Sequence, residues 1–207
     1  MNNSNSHIIQ VYNSRKNLLE ILETRGFNTS SYNNFSISEI GILTEQDQLD
    51  MLLEDSNNKK IYVKYYINKV IKPPNVYSII EDLFYLENIL TKKDDLMIIV
   101  KDEPNDTLVQ TIKDIWMQDS IYTSTINIKR LQFNILNHVL VPKHTILSKP
   151  EEIEFKRKFN ILDNNIPDIS YFSPVSLVLG IRPKDIVKIE RKSRTAIKAD
   201  FYRICKL

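Results

Sequence analysis

The sequence predicts an α+β protein with two domains, an α/β domain over residues 1–137 and a smaller α+β domain over residues 138–207. Candidate strands and helices alternate along the first part, an order that favours a small mixed sheet with helices packed against it. The character of the sequence changes at Asn137-His138, and the charge changes with it. Residues 1–140 hold 14 Lys and Arg against 18 Asp and Glu, whereas residues 141–207 hold 14 against 8. The basic second part is suited to an acidic protein surface or to nucleic acid, and the alternative is solvated charge of the kind that small domains often carry.

Hydrophobic periodicity and turn residues define the elements of the first domain. Apolar residues between Ile8 and Glu23 fall at helical spacing, and this helix is expected to end near Arg25-Gly26, because glycine suits the position after a helix. A loop rich in Asn and Ser follows. The further elements predicted, in order, are a helix over Ser38–Leu53, a strand over Ile61–Ile67, a helix over Val76–Thr91, a buried strand over Leu96–Val100, a helix over Thr107–Met117 with Ile112, Ile115 and Trp116 in the core, and short strands at Ile121–Tyr122 and Leu131–Ile135.

The second domain carries clear helix-start signals. Ser148 and Glu151 have the spacing of a capping box, and a charged helix is predicted from there to about Phe159. Ser173-Pro174 predicts another helix start, with Gly180 ending that helix. The apolar–polar alternation of Ile186–Arg191 is typical of a half-buried strand. Its predicted partner is Phe201–Cys205, with Lys192–Lys198 as the connection.

Composition limits the class of protein. Hydrophobic residues make up 42% of the chain, enough for a core. No apolar stretch approaches the ~20 residues of a membrane span, and Met1–Ser6 lacks the features of a signal peptide. A single cysteine, Cys205, cannot form an internal disulfide. The expectation is a soluble intracellular protein in a reducing compartment.

The residue types needed for common active sites do not occur at the required spacings. His7, His138 and His144 lack zinc-binding spacing, and there is no second cysteine to join them. Cys205 lies on an apolar strand, where a small buried side chain is expected instead of a nucleophile. The three glycines are too far apart for a phosphate-binding loop. No catalytic residue, metal or cofactor is predicted.

One enzymatic hypothesis is a free-standing nuclease. Nucleases with a small mixed sheet pair an acidic residue with a lysine two positions later, so that a divalent cation can activate water. Lys64 occupies the lysine position of this pattern, but Tyr62 stands where the second carboxylate should be. The acids that flank the next strand are interpreted as turn residues that aid solubility; they are Asp94, Asp95, Asp102 and Glu103.

A basic cluster on the C-terminal hairpin offers a binding surface. Arg191, Lys192, Arg194 and Lys198 lie close together there. They are able to neutralise phosphates or to dock on an acidic protein surface. Because no aromatic stacking platform is interleaved with them, protein contact is the better interpretation.

Four blocks carry a resemblance to a known family. They are the segments His138–His144, Leu179–Ile189, Arg191–Ala196 and Tyr202–Cys205. In this order and spacing, the chain resembles the fifth subunit shared by the nuclear RNA polymerases, and its tail resembles the much smaller counterpart of that subunit in archaeal RNA polymerase. The similarity is strongest from His138 to the end and is weaker, but continuous, upstream.

The resemblance implies a fold and a role. Residues 1–137 would form the eukaryotic jaw domain, nuclease-like without catalytic residues, and residues 138–207 the assembly domain. It implies a non-catalytic subunit that docks on the largest polymerase subunit and contacts other subunits. The jaw domain would help to form the lower jaw of the polymerase near downstream DNA. The resemblance implies no cofactor, no membrane and no small-molecule substrate. Contact between the jaw and DNA stays open.

The resemblance also singles out partner-binding residues. The residues carried over for partner binding are Pro142, Lys143, His144, Lys188, Arg191, Lys192, Ser193, Thr195 and Arg203. Leu179 and Gly180 also match the family's motifs. For each of these residues, the alternative role is to support only the fold of the tail.

Two departures from the family are visible. Ile197 stands where glycine is common, and Asn105–Leu108 stands where eukaryotic members commonly have Thr-Pro-Ser-Ala. This divergence and the abundance of Ile and Asn favour a large DNA virus as the source. The expected location is the nucleus if the protein is cellular, and the virion or the host-cell transcription site if it is viral. Two alternatives remain: a free-standing nucleic-acid-binding or nuclease-like protein, and an adaptor that engages a host polymerase.

Overall fold

The computed structural model describes residues 2–193 and 195–207, with side chains described from residue 6 onward. The chain divides into two compact units, Met1–Asn134 and Ile135–Leu207. The α+β class is confirmed, since each unit combines helices with a four-stranded sheet. Among the described residues, no helix has the length and apolar character that crossing a membrane would require.

The N-terminal unit contains a mixed sheet with strand order β1-β2-β3-β4. β1 is antiparallel to β2, and β2, β3 and β4 are parallel. The elements are α1 (Asn2–Thr24), α2 (Ile37–Glu45), β1 (Met51–Glu54), β2 (Lys60–Tyr66), α3 (Pro73–Ile80), a π-helical turn (Glu81–Leu86), β3 (Asp95–Val100), α4 (Asp106–Asp119), β4 (Tyr122–Asn127) and a 3-10 turn (Ile128–Leu131).

The core of this unit lies around β3. All six residues of β3 are buried, as expected for a strand that has neighbours on both edges and side chains covered on both faces. The connections β2–α3–β3 and β3–α4–β4 are two consecutive crossovers, and α3 and α4 contact each other. α1 ends as predicted, with Gly26 at φ 94°, a conformation in which a side chain would be strained.

Two helix predictions for this unit are wrong in extent. The predicted helix over Ser38–Leu53 ends at Glu45, because Met51–Glu54 pairs with β2 across a turn and alternates between buried and exposed residues. The predicted helix over Val76–Thr91 begins at Pro73, since proline fits the first helical positions, and it continues as a π-helical turn only to Leu86.

β4 also differs from expectation. One strand replaces the two predicted at Ile121–Tyr122 and Leu131–Ile135, because every residue of β4 pairs with β3 in a continuous register. The chain then turns through Ile128–Leu131, which buries Ile128 and Leu131 without strand pairing. Trp116 is only partly buried, while Ile112 and Ile115 lie in the core as predicted.

The C-terminal unit contains a sheet with strand order β5-β7-β8-β6. Its core includes Phe155, Ile166, Ile186 and Ile204. The elements are a 3-10 turn (Ile135–Asn137), β5 (Lys143–Ile146), α5 (Lys149–Phe159), a second 3-10 turn (Asp163–Asn165), β6 (Asp168–Ser170), α6 (Pro174–Leu179), β7 (Ile186–Ser193) and β8 (Ile197–Lys206).

The helix starts and the hairpin of this unit are confirmed. The Glu151 carboxylate accepts from the backbone N–H and the hydroxyl of Ser148 at 2.7 and 2.6 Å. The Ser173 hydroxyl accepts from the Ser176 amide, and Gly180 ends α6 at φ 71°. β7 and β8 pair antiparallel from Ile186 to the end of β7, so the connection is shorter than Lys192–Lys198.

Candidate partner-binding surface

The β7–β8 hairpin presents two chemically different faces, because successive residues of a strand point to opposite sides. Strand register places three predicted residues and Phe201 on one face, here called the arginine face: His144, Arg191, Phe201 and Arg203. It places other predicted residues on the opposite face, here called the lysine face: Lys143, Lys188 and Lys192. The predicted set is therefore not one cluster.

On the arginine face, Phe201 lies between two cations. The guanidinium carbon of Arg191 is 4.5 Å from the centroid of the Phe201 ring, and that of Arg203 is 5.3 Å away. Arginine over an aromatic ring is stabilised by the ring quadrupole. The contacts place both guanidinium groups beside the same ring.

His144 completes the arginine face. Burial lowers the pKa of its imidazole, the neighbouring charges of Arg191 and Arg203 lower it further, and the hydrogen bond with the Pro142 carbonyl opposes this. Nδ1 lies 2.7 Å from the Pro142 oxygen, and because a carbonyl only accepts, Nδ1 carries the proton. The imidazole is held neutral beside two arginines, and Pro142 fixes its orientation.

The arginine face carries positive charge without a carboxylate. Arg203 donates from Nη1 to the backbone carbonyl of Asp168. Within the described ranges 2–193 and 195–207, no Asp or Glu side chain forms an ion pair with Arg191 or Arg203. A carboxylate can accept two parallel hydrogen bonds from one guanidinium group.

The lysine face is balanced by acids of the same hairpin. Lys188 Nζ lies 2.9 Å from Asp200 Oδ2, and this hydrogen bond raises the pKa of Lys188. Lys198 Nζ lies 3.9 Å from Glu190. Lys143 pairs with Glu190 in the strand register and is exposed, as is Lys192. The charge of this face is therefore partly neutralised within the hairpin.

Ser193 and Thr195 shape the turn. The Ser193 hydroxyl accepts from the amides of Thr195 and Ala196 at 3.4 and 3.3 Å. Ile197 follows at φ 59° and is 85% exposed, so an isoleucine occupies a conformation that favours glycine. Arg194, part of the predicted basic cluster, lies outside the described residues. The roles of Ser193 and Thr195 seen here belong to the fold.

Sequence reasoning missed Phe201 as a site residue. The signal that reveals it is the hairpin register: Ile189 pairs with Phe201 and Arg191 with Ala199. Diagonal neighbours on one face of an antiparallel pair lie within reach of long side chains. Given that register, Arg191 and Arg203 both fall beside the ring.

Tyr62 and Lys64, the two residues compared with the nuclease pattern, are both hydrogen-bonded to one carboxylate. Asp50, which sequence reasoning did not single out, accepts at Oδ2 from Lys64 Nζ at 2.8 Å and from the Tyr62 hydroxyl at 3.1 Å. Its Oδ1 accepts from the Tyr65 amide at 3.0 Å. Burial first, and then the charge of Asp50, raise the pKa of the Tyr62 phenol. One carboxylate, one phenol and one lysine thus converge here.

Asp94 and Asp95 are interpreted from the sequence as turn residues that aid solubility. That interpretation is wrong, because both side chains are buried. Asp94 accepts from the amides of Lys60 and Thr91, each at 2.7 Å. Asp95 forms ion pairs with Arg25 and Lys59. These two acids connect α1, β2 and the loop before β3 to one another.

The acids after β3 lie at the surface. Asp102 and Glu103 are exposed, and Glu103 pairs with Arg130 at 2.8 Å. In the part of the chain that the structure describes, no three His, Cys, Asp or Glu side chains are grouped so that they could hold a metal ion. Burial raises the pKa of the Cys205 thiol to about 12, which opposes thiolate formation.

Known proteins match the C-terminal part of this chain. The family model described as RNA polymerase Rpb5, C-terminal domain, matches residues 133–205. The DNA-directed RNA polymerase subunit Rpo5 of Thermococcus kodakarensis is 42% identical over 73 residues, which cover 35% of this chain and 89% of that protein. The subunit of the same name from Nitrosopumilus maritimus is 41% identical over 75 residues, 36% of this chain and 90% of that protein.

A further relative matches along most of the chain. Subunit rpabc1 of DNA-directed RNA polymerases I, II, and III from Dictyostelium discoideum is 25% identical over 192 residues, 92% of this chain and 94% of that protein. These matches define the class of protein as a subunit of a multisubunit DNA-directed RNA polymerase. The chain belongs to the Rpb5 family of these subunits, and the resemblance predicted from the tail motifs is confirmed.

Proposed function

We propose that this chain is a non-catalytic structural subunit of its polymerase. Its C-terminal unit, as the assembly domain, docks on the largest subunit, and its N-terminal unit, as the jaw domain, forms part of the jaw beside downstream DNA. The observation that carries the docking proposal is the arginine face, where two guanidinium groups flank Phe201 without a carboxylate of their own.

The arginine face is suited to a protein partner. The guanidinium groups of Arg191 and Arg203 are suited to binding carboxylates, and the half-buried Phe201 ring offers apolar contact between them. Arginine and aromatic residues dominate the energetics of many protein interfaces. We therefore assign docking to an acidic surface of the largest subunit, and we assign Pro142 and His144 to positioning this face.

The lysine face has a different proposed role. Lys143 and Lys192 are exposed at its open end, so they are available to contact the rim of an interface or a phosphate. Lys188 is paired with Asp200, which favours a role in holding the hairpin together. Ser193 and Thr195 are proposed to act through the turn that they shape.

The non-catalytic assignment has its own support. A nuclease of this architecture needs at least two carboxylates to hold its cation. Here Tyr62 replaces the second carboxylate, and Asp50 is already bonded to Tyr62, Lys64 and the Tyr65 amide. We propose that the N-terminal unit serves as a rigid body in the jaw, and that the protein is located wherever its polymerase transcribes, in the nucleus or at a viral transcription site.

Affinity purification of the tagged full chain from its native cell or particle tests the proposal. We expect recovery in a near one-to-one ratio with the two largest polymerase subunits and RNA synthesis in the eluate. Recovery without those subunits would contradict it and favour a free-standing nucleic-acid-binding protein. Recovery of a host polymerase in sub-stoichiometric amounts would favour an adaptor.

A further inference from the structure

A buried arginine in the N-terminal unit lacks an acid. Arg15 lies on α1 and is 4% exposed. Its Nη1 donates to the Leu49 carbonyl at 2.8 Å, while its buried Nε has no hydrogen-bond partner. Burial lowers the pKa of this guanidinium, although the group stays charged at neutral pH. Buried charges in proteins are normally paired, so this arrangement is unusual.

The turn that follows α1 provides an internal comparison. Arg25, ten residues further along the chain, is also nearly buried, but its Nη2 lies 2.6 Å from Asp95 Oδ2. No Asp or Glu in the described part of the chain forms such an ion pair with Arg15. Two aromatic rings compensate in part, since the Arg15 guanidinium carbon lies 5.5 Å from the Tyr32 ring centroid and 5.3 Å from that of Phe35.

Arg15 lines an open groove between α1 and the segment of residues 32–40. The groove has a volume of about 260 Å³. That is room for roughly eight water molecules, or one amino-acid side chain. Tyr32 forms a fixed wall, because its hydroxyl is hydrogen-bonded to the Leu52 amide and carbonyl at 3.2 and 3.3 Å. Tyr12, Leu19, Phe35 and Ile40 supply further wall area.

The charges along this groove are arranged in order. Arg15 and Lys16 stand at one end, and Glu20 and Glu23 line the groove further along α1. With a rise of 1.5 Å per residue, Glu23 lies about 12 Å from Arg15 along the helix axis. A nucleic-acid backbone carries a charge at every step, and the two glutamates would repel it. A ligand with a single carboxylate followed by a basic group fits the groove, because the carboxylate meets Arg15 at one end and the basic group meets the glutamates at the other.

We propose that this groove is a docking site for an acidic side chain of a partner polypeptide, whose carboxylate pairs with the Arg15 guanidinium. Nη1 is engaged with the Leu49 carbonyl and Nε is buried, so Nη2 is the guanidinium nitrogen left to donate to a partner's carboxylate. The aromatic walls take the apolar stem of that side chain, and Glu20 and Glu23 receive a basic residue that follows it. The site belongs to the N-terminal unit and is independent of the arginine face.

Solution NMR of the full chain, observing the Arg15 Nε–Hε resonance, tests this. The probe is a blocked hexapeptide with one glutamate and, three residues later, one lysine; its matched control has glutamine for glutamate. We expect the glutamate peptide, but not the glutamine peptide, to shift the resonance, and the shift should saturate as the peptide concentration rises. The exposed variant Lys16→Glu should weaken that binding by about tenfold through like-charge repulsion, whereas Lys92→Glu should leave it unchanged.

Other outcomes overturn the proposal. Equal shifts with the glutamate and glutamine peptides would exclude carboxylate recognition. Sodium acetate or phosphate binding as tightly as the peptide would identify a small-anion site, with no role for a polypeptide. A resonance that no probe moves would show that Arg15 only supports the fold.

Discussion

Arg25 and Asp95 form a buried ion pair across 70 positions of sequence, with 2.6 Å between Nη2 and Oδ2. The Asp95 side chain is fully buried, and Lys59 Nζ reaches the same oxygen at 2.8 Å. The pair ties the end of α1 to the first residue of β3. The N-terminal unit therefore depends on one carboxylate at a position where helix and sheet meet.

Replacing this carboxylate should destabilise the protein strongly. Asp95→Asn leaves the Arg25 charge buried without a partner, so we expect the free energy of unfolding to fall by about 3–5 kcal/mol. Urea denaturation measures the change. Glu103→Gln is the matched control, because its pair with Arg130 is exposed and should contribute about 0–1 kcal/mol. Equal losses in both variants would contradict the role given to Asp95.

Charge reversal on the two faces of the hairpin should have unequal effects. Arg191→Glu removes a cation of the arginine face and should weaken incorporation into the polymerase by at least about tenfold. Lys192→Glu changes the opposite face and should weaken it less. Quantitative recovery of each tagged variant with the largest subunit measures the difference, after circular dichroism has verified that both variants fold. A larger loss in Lys192→Glu would move the docking surface to the lysine face.

His144 should make stability depend on pH. Because its pKa is lower in the folded state, the unfolded chain takes up a proton first as pH falls below about 6.5. The stability contributed by neutral His144 is thus present above that pH, and it is lost as the pH falls toward the pKa of His144 in the folded state. Unfolding free energies from pH 7.5 to 5 should fall more steeply for the natural chain than for His144→Asn. Parallel curves would exclude a depressed pKa.

The turn after β7 should tolerate glycine better than isoleucine. Ile197 has φ 59°, which costs an ordinary residue roughly 1–2 kcal/mol, and its exposed side chain contributes little packing. Glycine loses more backbone entropy on folding, so the net gain expected from Ile197→Gly is about 0.5–1 kcal/mol. Thermal or urea unfolding measures it, with Ile197→Ala as the control that keeps the strain. A loss of stability in the glycine variant would show that the side chain packs.

The N-terminal unit should not cleave DNA. Asp50 is bonded to Tyr62 and Lys64, so a divalent cation would lack a second carboxylate. Purified full chain incubated with plasmid DNA and Mg²⁺ or Mn²⁺ should show no more nicking than the Asp50→Asn variant. Metal-dependent nicking that disappears in Asp50→Asn would restore the nuclease hypothesis.

The elements that sequence predicts well are those with strong local patterns. The apolar run of β3 and the alternation of β7 need no tertiary information, and Ser148, Ser173 and Gly180 mark helix ends by their own chemistry. The apolar spacing of β1 also fits a helix, and only pairing with β2 decides between the two. β5 and β6 are short and largely exposed, so their sequences carry little strand signal.

The candidate site is predictable only in part. The motifs identify Arg191 and Arg203, but their common contact, Phe201, follows from strand register, which motifs do not contain. The burial of Asp95 depends on Arg25 and Lys59, both distant in sequence. Sequence places Arg15 on an amphipathic helix and no more, since nothing local indicates that its guanidinium is buried without an acid.

Site-specific crosslinking tests docking through the C-terminal unit most directly. A photoreactive amino acid replaces Ala199, which is exposed and pairs with Arg191 in the hairpin. After irradiation of cells or particles that contain the tagged chain, we expect a single crosslinked product whose partner is the largest subunit of the polymerase. Crosslinks only to nucleic acid, or only to proteins outside the polymerase, would contradict the proposed assembly role.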